Sequence, residues 1–165
     1  MEKPENTVYK VVVLTISDRC SQGQREDKSG KLIWELIRHL PFELIKYEII
    51  PDEPDLIKAK LIEYADNLKA DLVLTTGGTG FAPRDFTPEA TKTVIDREAP
   101  GIAEAMRMEC FRFNKRAMLS RAVSGIRGRT LIVNLPGSSK SVKESLGVIL
   151  DELIHSLDML AGGDH

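Results

Sequence analysis

At 165 residues, 42% hydrophobic and 29% charged, the chain has the balance of one soluble globular domain spanning 1–165, long enough to bury a core without disulfide or metal staples. A formal net charge of −2 argues against a nucleic-acid or membrane-surface binder, so an anionic ligand needs a local positive site. Cys20 and Cys110 form no CxxC pair, and no charged-then-apolar leader or long apolar run is present, so a reduced, cytoplasmic setting is expected.

Residues 1–7 and 162–165 read as short polar tails. Val8 to Ile16 is a nearly continuous β-branched run, the pattern of a strand buried on both faces, and it ends in Ser17-Asp18-Arg19. Leu32, Ile33, Leu36, Ile37 and Leu40 recur at helical spacing, after which Ile45, Tyr47 and Ile49 alternate toward Pro51-Asp52-Glu53-Pro54. From Asp55 a second amphipathic face, Leu56, Ile57, Leu61, Ile62, Ala65 and Leu68, hands over to an Asp71–Thr76 strand. Helix and strand thus alternate, which predicts an α/β fold in three layers, α/β/α, with a largely parallel central sheet.

Beyond that strand, Thr87 is predicted as an N-cap with Pro88 at the first helical position, opening a helix to about Arg97. A break at Pro100-Gly101 precedes a second helix to about Phe113. Met118 to Ile126 is expected to be extended, Arg127-Gly128 to turn, and Thr130 to Leu135 to form a strand, a hairpin that would make the sheet mixed. Pro136-Gly137-Ser138 closes the strand, and the apolar stripe from Val142 to Leu160 predicts a long terminal helix capped by Ser138 or Ser139.

The most chemically loaded stretch is Thr75 to Ala90. Gly77, Gly78 and Gly80 let backbone N–H groups approach an anion, and a helix N-terminus begins just past Arg84 and Asp85. Two better-known glycine motifs do not fit. A dinucleotide fingerprint read from Gly78 puts Pro83 where the third glycine belongs, and Lys140 does not follow a glycine as a P-loop requires.

In an open α/β sheet, ligands gather at the carboxyl ends of the strands. The loops expected there carry Ser17-Asp18, Asp52-Glu53, Gly77 to Asp85, and Asn134 to Lys140. Carboxylates beside a phosphate repel it unless a divalent cation lies between, so Asp52 and Asp85 are candidate Mg²⁺ ligands. Asp18 and Asp52 also read as turn or capping residues at strand ends. Lys140 is anomalous: a cation in a first helical turn opposes the dipole unless an anion compensates. His39, His155 and His165 lack metal-ligand spacing, Trp34 reads as core or interface, and Cys110 as packing.

Several strings together resemble the molybdopterin adenylyltransferases, the MogA/MoaB group of molybdenum cofactor biosynthesis, related to the G domain of plant and animal fusion proteins. They are Thr15 to Arg19, Ile50 to Glu53, Thr75 to Gly80, Pro83 to Ala90, Asp96 to Gly101, Ser120-Arg121-Ala122, and Asn134 to Ser138, in the family's order and over most of the chain. The resemblance implies that the pterin's terminal phosphate attacks the α-phosphorus of Mg-ATP, giving adenylylated molybdopterin and pyrophosphate for later molybdate insertion.

By the same carry-over, Asp52 and Asp85 look like the catalytic, metal-holding pair, and Gly77, Gly78, Thr79, Gly80 and Arg84 like the nucleotide site. Pro136, Gly137 and Ser138 look like the pterin-phosphate site, with Ser17, Asp18, Thr87 and Lys140 as further pterin contacts. A homotrimer, or a hexamer built from trimers, and a molybdenum-insertion partner protein are also implied.

Two departures stand out. Ala82 occupies a position where the family often has serine, and the insertion before the last helix of some adenylyltransferases is lacking, as in the MoaB branch. Some members of that branch have lost the acidic pair. Both carboxylates are present here, which favours an active enzyme over a MoaB-type binding protein without adenylyl transfer; a scaffold, its glycine loops mere turns, ranks last.

Overall fold

The computed structural model describes residues 7–163. Strand β1 (Tyr9–Ile16) lies inside a six-stranded sheet of order β2-β1-β3-β6-β5-β4. β2 (Phe42–Ile50) and β3 (Leu72–Thr76) flank β1, and β6 (Thr130–Leu135) adds to β3, all parallel. β5 (Ser124–Arg127) turns back on β6 through Gly128, at φ +57°, and pairs antiparallel with the two-residue β4 (Arg97–Glu98). The sheet is therefore mixed, as the hairpin predicts.

Alternation along the strands divides the core in two. Val11, Val13, Leu74 and Val133 face α2 (Lys28–Ile37), α5 (Pro100–Phe111) and α6 (Ser139–Leu160). Val12, Leu14, Ile16 and Val73 face α3 (Pro54–Ile62) and α4 (Thr87–Val94). β1, β3 and β6 are covered on both sides, which is why their sequences are continuous apolar runs. No helix among the described residues is long and apolar enough to cross a membrane.

Four local expectations change. Thr87 does not cap α4: it is the helix's first residue, buried, and its hydroxyl donates to the Gly77 carbonyl at 2.9 Å. That bond serves the glycine loop, and Phe86 takes the cap position without a side-chain bond. α4 ends at Val94 rather than near Arg97, because Arg97 and Glu98 pair with β5. Lys115–Leu119 is a 3-10 turn capped by Asn114, whose side chain accepts from the Arg116 N–H, so the strand begins only at Ser124 rather than at Met118, and it takes in Arg127, expected in the turn. After α3 the chain widens into one π turn, Glu63–Asn67, which burying Tyr64 accompanies. Trp34 is partly buried against the core, and Cys110 is buried as expected.

Candidate functional site

The chain leaves β1 toward β2 on one side of the sheet, while β3 lies on the other. That divergence opens a crevice at the carboxyl ends of β1 and β3, the place where open α/β sheets take ligands. A cavity of about 260 Å³ occupies it, lined among others by Ser17, Asp27, Asp52, Gly77, Gly78 and Asp85.

Its geometry begins with Ser17, which caps the one-turn α1 (Asp18–Ser21) by accepting from the Cys20 N–H at 3.2 Å. Asp18 and Asp52 then clasp each other: the Asp18 N–H donates to Asp52 Oδ2 at 2.9 Å, and the Asp52 N–H to Asp18 Oδ1 at 3.0 Å. Arg84 closes over this pair. Its Nε donates to Asp18 Oδ2 at 2.7 Å, and its Nη2 to Glu53 Oε1 at 2.7 Å and to the Asp52 carbonyl at 3.2 Å. Asp85, the next residue, accepts the Ala82 N–H on Oδ2 at 3.0 Å, so its own loop holds its orientation.

The charges differ in consequence. The Arg84 guanidinium and the Asp52 N–H hold the Asp18 carboxyl below the usual carboxylate range. Asp52 moves the other way: burial raises it, and the neighbouring charges of Asp18 and Asp85 add to that despite the Asp18 N–H and Arg84. A crevice bordered by Asp52 and Asp85 suits a cation or a cation-bridged anion. Among the described residues no three His, Cys, Asp or Glu side chains form a metal cage, so oxygens of a bound substrate would have to complete the shell.

Gly77 makes the crevice possible. At φ +99° it lies so close to the Ile16 carbonyl that a Cβ would collide with it. A Cβ on Gly78, at φ +68°, would meet the Thr87 hydroxyl and stand 3.2 Å from Asp52 Oδ1. Gly137 packs against Gly77, its hypothetical Cβ 3.4 Å from the Gly77 Cα, so the β3 and β6 loops form one continuous floor. Thr76 Oγ1 donates to the Pro136 carbonyl at 2.6 Å, and Ser29 Oγ to the Gly137 carbonyl at 2.7 Å.

A second cavity, of about 710 Å³, opens on the other side of that floor. Thr79, Gly80, Pro136, Ser138 and Lys140 border it together with side chains of α5 and the 3-10 turn, including Arg107 and Arg116. Ser138 lines both cavities and caps α6, accepting the Ser141 N–H at 3.2 Å. Arg107, Arg116 and Lys140 outnumber Glu144 there, so this chamber favours an anion, whereas the crevice does not.

The sequence-predicted site residues meet at one end of the sheet, but three line neither cavity: Asp18 and Arg84 form the clasp on Asp52, and Thr87 supports Gly77 from beneath. Asn134, the first residue of the expected pterin loop, is also structural: it is buried, and its Nδ2 donates to Thr75 and Thr91 at 3.0 Å each. Sequence reasoning missed Asp27 and Ser29. Asp27 caps α2 through the Gly30 N–H at 3.0 Å and accepts hydroxyls from Thr15 and Tyr47. An aspartate just before an apolar helical face is a cap signal, and it could have found this loop.

Residues 12–156 match a family model described as "Probable molybdopterin binding domain". The chain belongs to this molybdopterin-binding family. It is 46% identical over 153 residues to a molybdopterin adenylyltransferase of Helicobacter pylori strain J99, covering 91% of this chain and 86% of that protein. It is also 46% identical over 145 residues to the molybdopterin adenylyltransferase of Escherichia coli K12, covering 86% of this chain and 74% of that one. The crystal structure of the molybdopterin biosynthesis enzyme MoaB from Thermus thermophilus superposes with a TM-score of 0.90 at 50% identity, covering 94% of this chain and 98% of that one. The three-layer fold with its mostly parallel mixed sheet is thus the MogA/MoaB fold.

Proposed function

We propose that the chain is a molybdopterin adenylyltransferase. A terminal phosphate oxygen of molybdopterin attacks the α-phosphorus of ATP, a new O–P bond forms, the bond from that phosphorus to the β-phosphate oxygen breaks, and pyrophosphate leaves. One observation carries the reading: Asp52 and Asp85 border a single crevice beside Gly77 and Gly78, on the floor shared with Gly137 and Ser138. Relatives of 46% identity bearing that name support it.

The division of labour follows charge. The triphosphate of ATP belongs in the crevice, with Gly77 and Gly78 along its phosphates, while Thr79 and Gly80 border the neighbouring chamber. The terminal phosphate of the pterin belongs with Ser138 and Lys140 at the start of α6, beside the cation-rich chamber. Asp52 and Asp85 would hold Mg²⁺, whose hard oxygen preference matches two carboxylates plus phosphate oxygens. When bound, the ion neutralises charge on the triphosphate. The chain's own task is positioning: the floor brings the two phosphates together, and the Asp18–Arg84 clasp keeps Asp52 in place. Arg84 is committed to Asp18 and Glu53, so its part in nucleotide binding runs through Asp52.

We further propose a homotrimer, in a cytoplasm that keeps Cys20 and Cys110 reduced, with the product passed to a molybdenum-insertion partner. Both cysteines are free, and an apolar patch of Met108, Phe111, Phe113, Met118 and Leu119 lies exposed along α5 and the following turn. A trimer mass in light scattering is expected, and a monomer at micromolar concentration would refute it.

Purified molybdopterin, ATP and Mg²⁺ should yield adenylylated molybdopterin and pyrophosphate in equal amounts. Molybdopterin binding without ATP-dependent pyrophosphate release would instead make the chain a MoaB-type binding protein.

A further inference from the structure

Arg121 touches neither cavity that holds the proposed substrates, yet it is tied to the loop between them more densely than any residue of the site. Its Nε donates to the Gly80 carbonyl at 2.8 Å and its Nη2 to the Asp85 carbonyl at 2.7 Å. Its Nη1 pairs with Glu89 in the first turn of α4, and its backbone N–H donates to the Thr79 carbonyl at 2.9 Å. One side chain thus binds the beginning of the loop, its end, and the helix that follows.

The loop needs such an anchor. Phe81 to Arg84 are all exposed and contribute no side chain to the core, and the loop's internal bonds are short-range, from Asp85 N–H to Ala82 O and from Ala82 N–H to Asp85 Oδ2. Its other side-chain tie, Arg84 to Asp18 and Glu53, is a pair of half-exposed ion pairs that hold weakly. A segment with few buried apolar contacts opens easily, and Asp85 would wander with it. A planar guanidinium, with several donors in a fixed fork, meets separate carbonyls at once; an ammonium does so poorly.

We propose that Arg121 is a positioning residue for adenylyl transfer: by clamping the carbonyls of Gly80 and Asp85, it keeps the Asp85 carboxylate on the crevice. The inference rests on the functional reading above, because it gives Asp85 something to do. Arg121 acts through Asp85 and does not contact the reacting phosphates.

The test is a double-mutant cycle with Arg121→Lys, which retains a cation for Glu89 but loses the fork. Arg121→Lys should lower kcat by about tenfold or more, the scale of a small misplacement of a reacting group, with KM for molybdopterin within about twofold. In an Asp85→Asn background the same substitution should have no further effect on kcat; effects that multiply would overturn the proposal. Amide hydrogen exchange gives a readout independent of turnover. Residues 82–87 should exchange at least about tenfold faster in Arg121→Lys, with exchange in β1 and β3 unchanged. Unaltered loop exchange would overturn the clamp even in a protein without activity. Faster exchange combined with no adenylyl transfer by the wild-type chain would leave the clamp standing and remove the function.

Discussion

Asp18 and Asp52 hold each other by two opposed backbone-to-carboxylate bonds, 2.9 and 3.0 Å long, across the ends of β1 and β2. They are neighbours with the same chemistry and opposite electrostatic fates. Asp18, bonded to the Arg84 guanidinium, is held below the ordinary carboxylate value, while burial lifts Asp52 above it, helped by Asp18 and Asp85.

The pH consequence follows from those directions. An acid whose folded value is raised costs stability when ionised, and the cost is relieved as pH falls through that value. An acid whose folded value is lowered adds stability that is lost only as pH falls through the lowered value. Asp52 should therefore protonate first on acidification of the ligand-free protein, above the usual aspartate value of about 3.9, and Asp18 last, below it. Carboxyl carbon-13 titration reads both. Asp85→Asn, which removes one repelling charge, should move the Asp52 midpoint down. Asp18 titrating above Asp52 would refute the assignment.

Gly77 and Gly23 separate backbone strain from close approach. Both have positive φ, +99° and +73°, but a Cβ on Gly23 would meet nothing within 4 Å, whereas one on Gly77 would strike the Ile16 carbonyl. Gly23→Ala should cost about 1 kcal/mol in urea unfolding, the left-handed penalty alone. Gly77→Ala should cost at least about 2 kcal/mol more, because β1 and β3 would have to part. Equal losses would show that the loop is not packed as described.

Lys140 is exposed in the first turn of α6 and lines the larger cavity, where a cation runs against the helix dipole. Lys140→Ala should therefore not lower the melting temperature. It should weaken molybdopterin binding by about tenfold in calorimetry and change ATP affinity by less than about twofold, the loss of one charge-assisted contact. Loss of ATP affinity with molybdopterin affinity unchanged would reverse the two halves of the site.

These outcomes depend on contacts of very unequal legibility in sequence. β1, β3 and β6 are readable because burial on both faces demands unbroken apolar runs, and Gly77 to Asp85 because few structures need that density of glycine beside a charged pair. The Thr87 hydroxyl is not readable. A helix cap and a bond to a glycine carbonyl ten residues back use the same atom, and only tertiary packing chooses between them. Arg121, Asp27 and Ser29 are hidden for a related reason. Their partners lie 41, 12 and 108 residues away for the bonds to Gly80, Thr15 and Gly137, and no local pattern encodes such distances. Met118 and Leu119 read as extended in sequence because the single 3-10 turn that they close is too short to show a period.

Asp85→Asn bears most directly on the chemistry. The side chain borders the crevice, and its one bond, from the Ala82 N–H to Oδ2, is one that an asparagine carbonyl oxygen can also accept. The loop should keep its shape, and stability should change by no more than about 1 kcal/mol, as for most surface substitutions. What disappears is charge. Mg-ATP should raise the melting temperature of the wild-type chain more than ATP with excess chelator does, since Asp52 and Asp85 repel an unscreened triphosphate, and Asp85→Asn should narrow that difference. Adenylyl transfer should fall at least about a hundredfold, the scale of losing one charge-stabilising group, while molybdopterin binding beside Lys140 persists. A variant that binds molybdopterin but does not turn it over separates the crevice from the chamber. Near-wild-type production of adenylylated molybdopterin by Asp85→Asn would reduce the residue to a turn constituent and remove the chemical role from the loop that Arg121 holds.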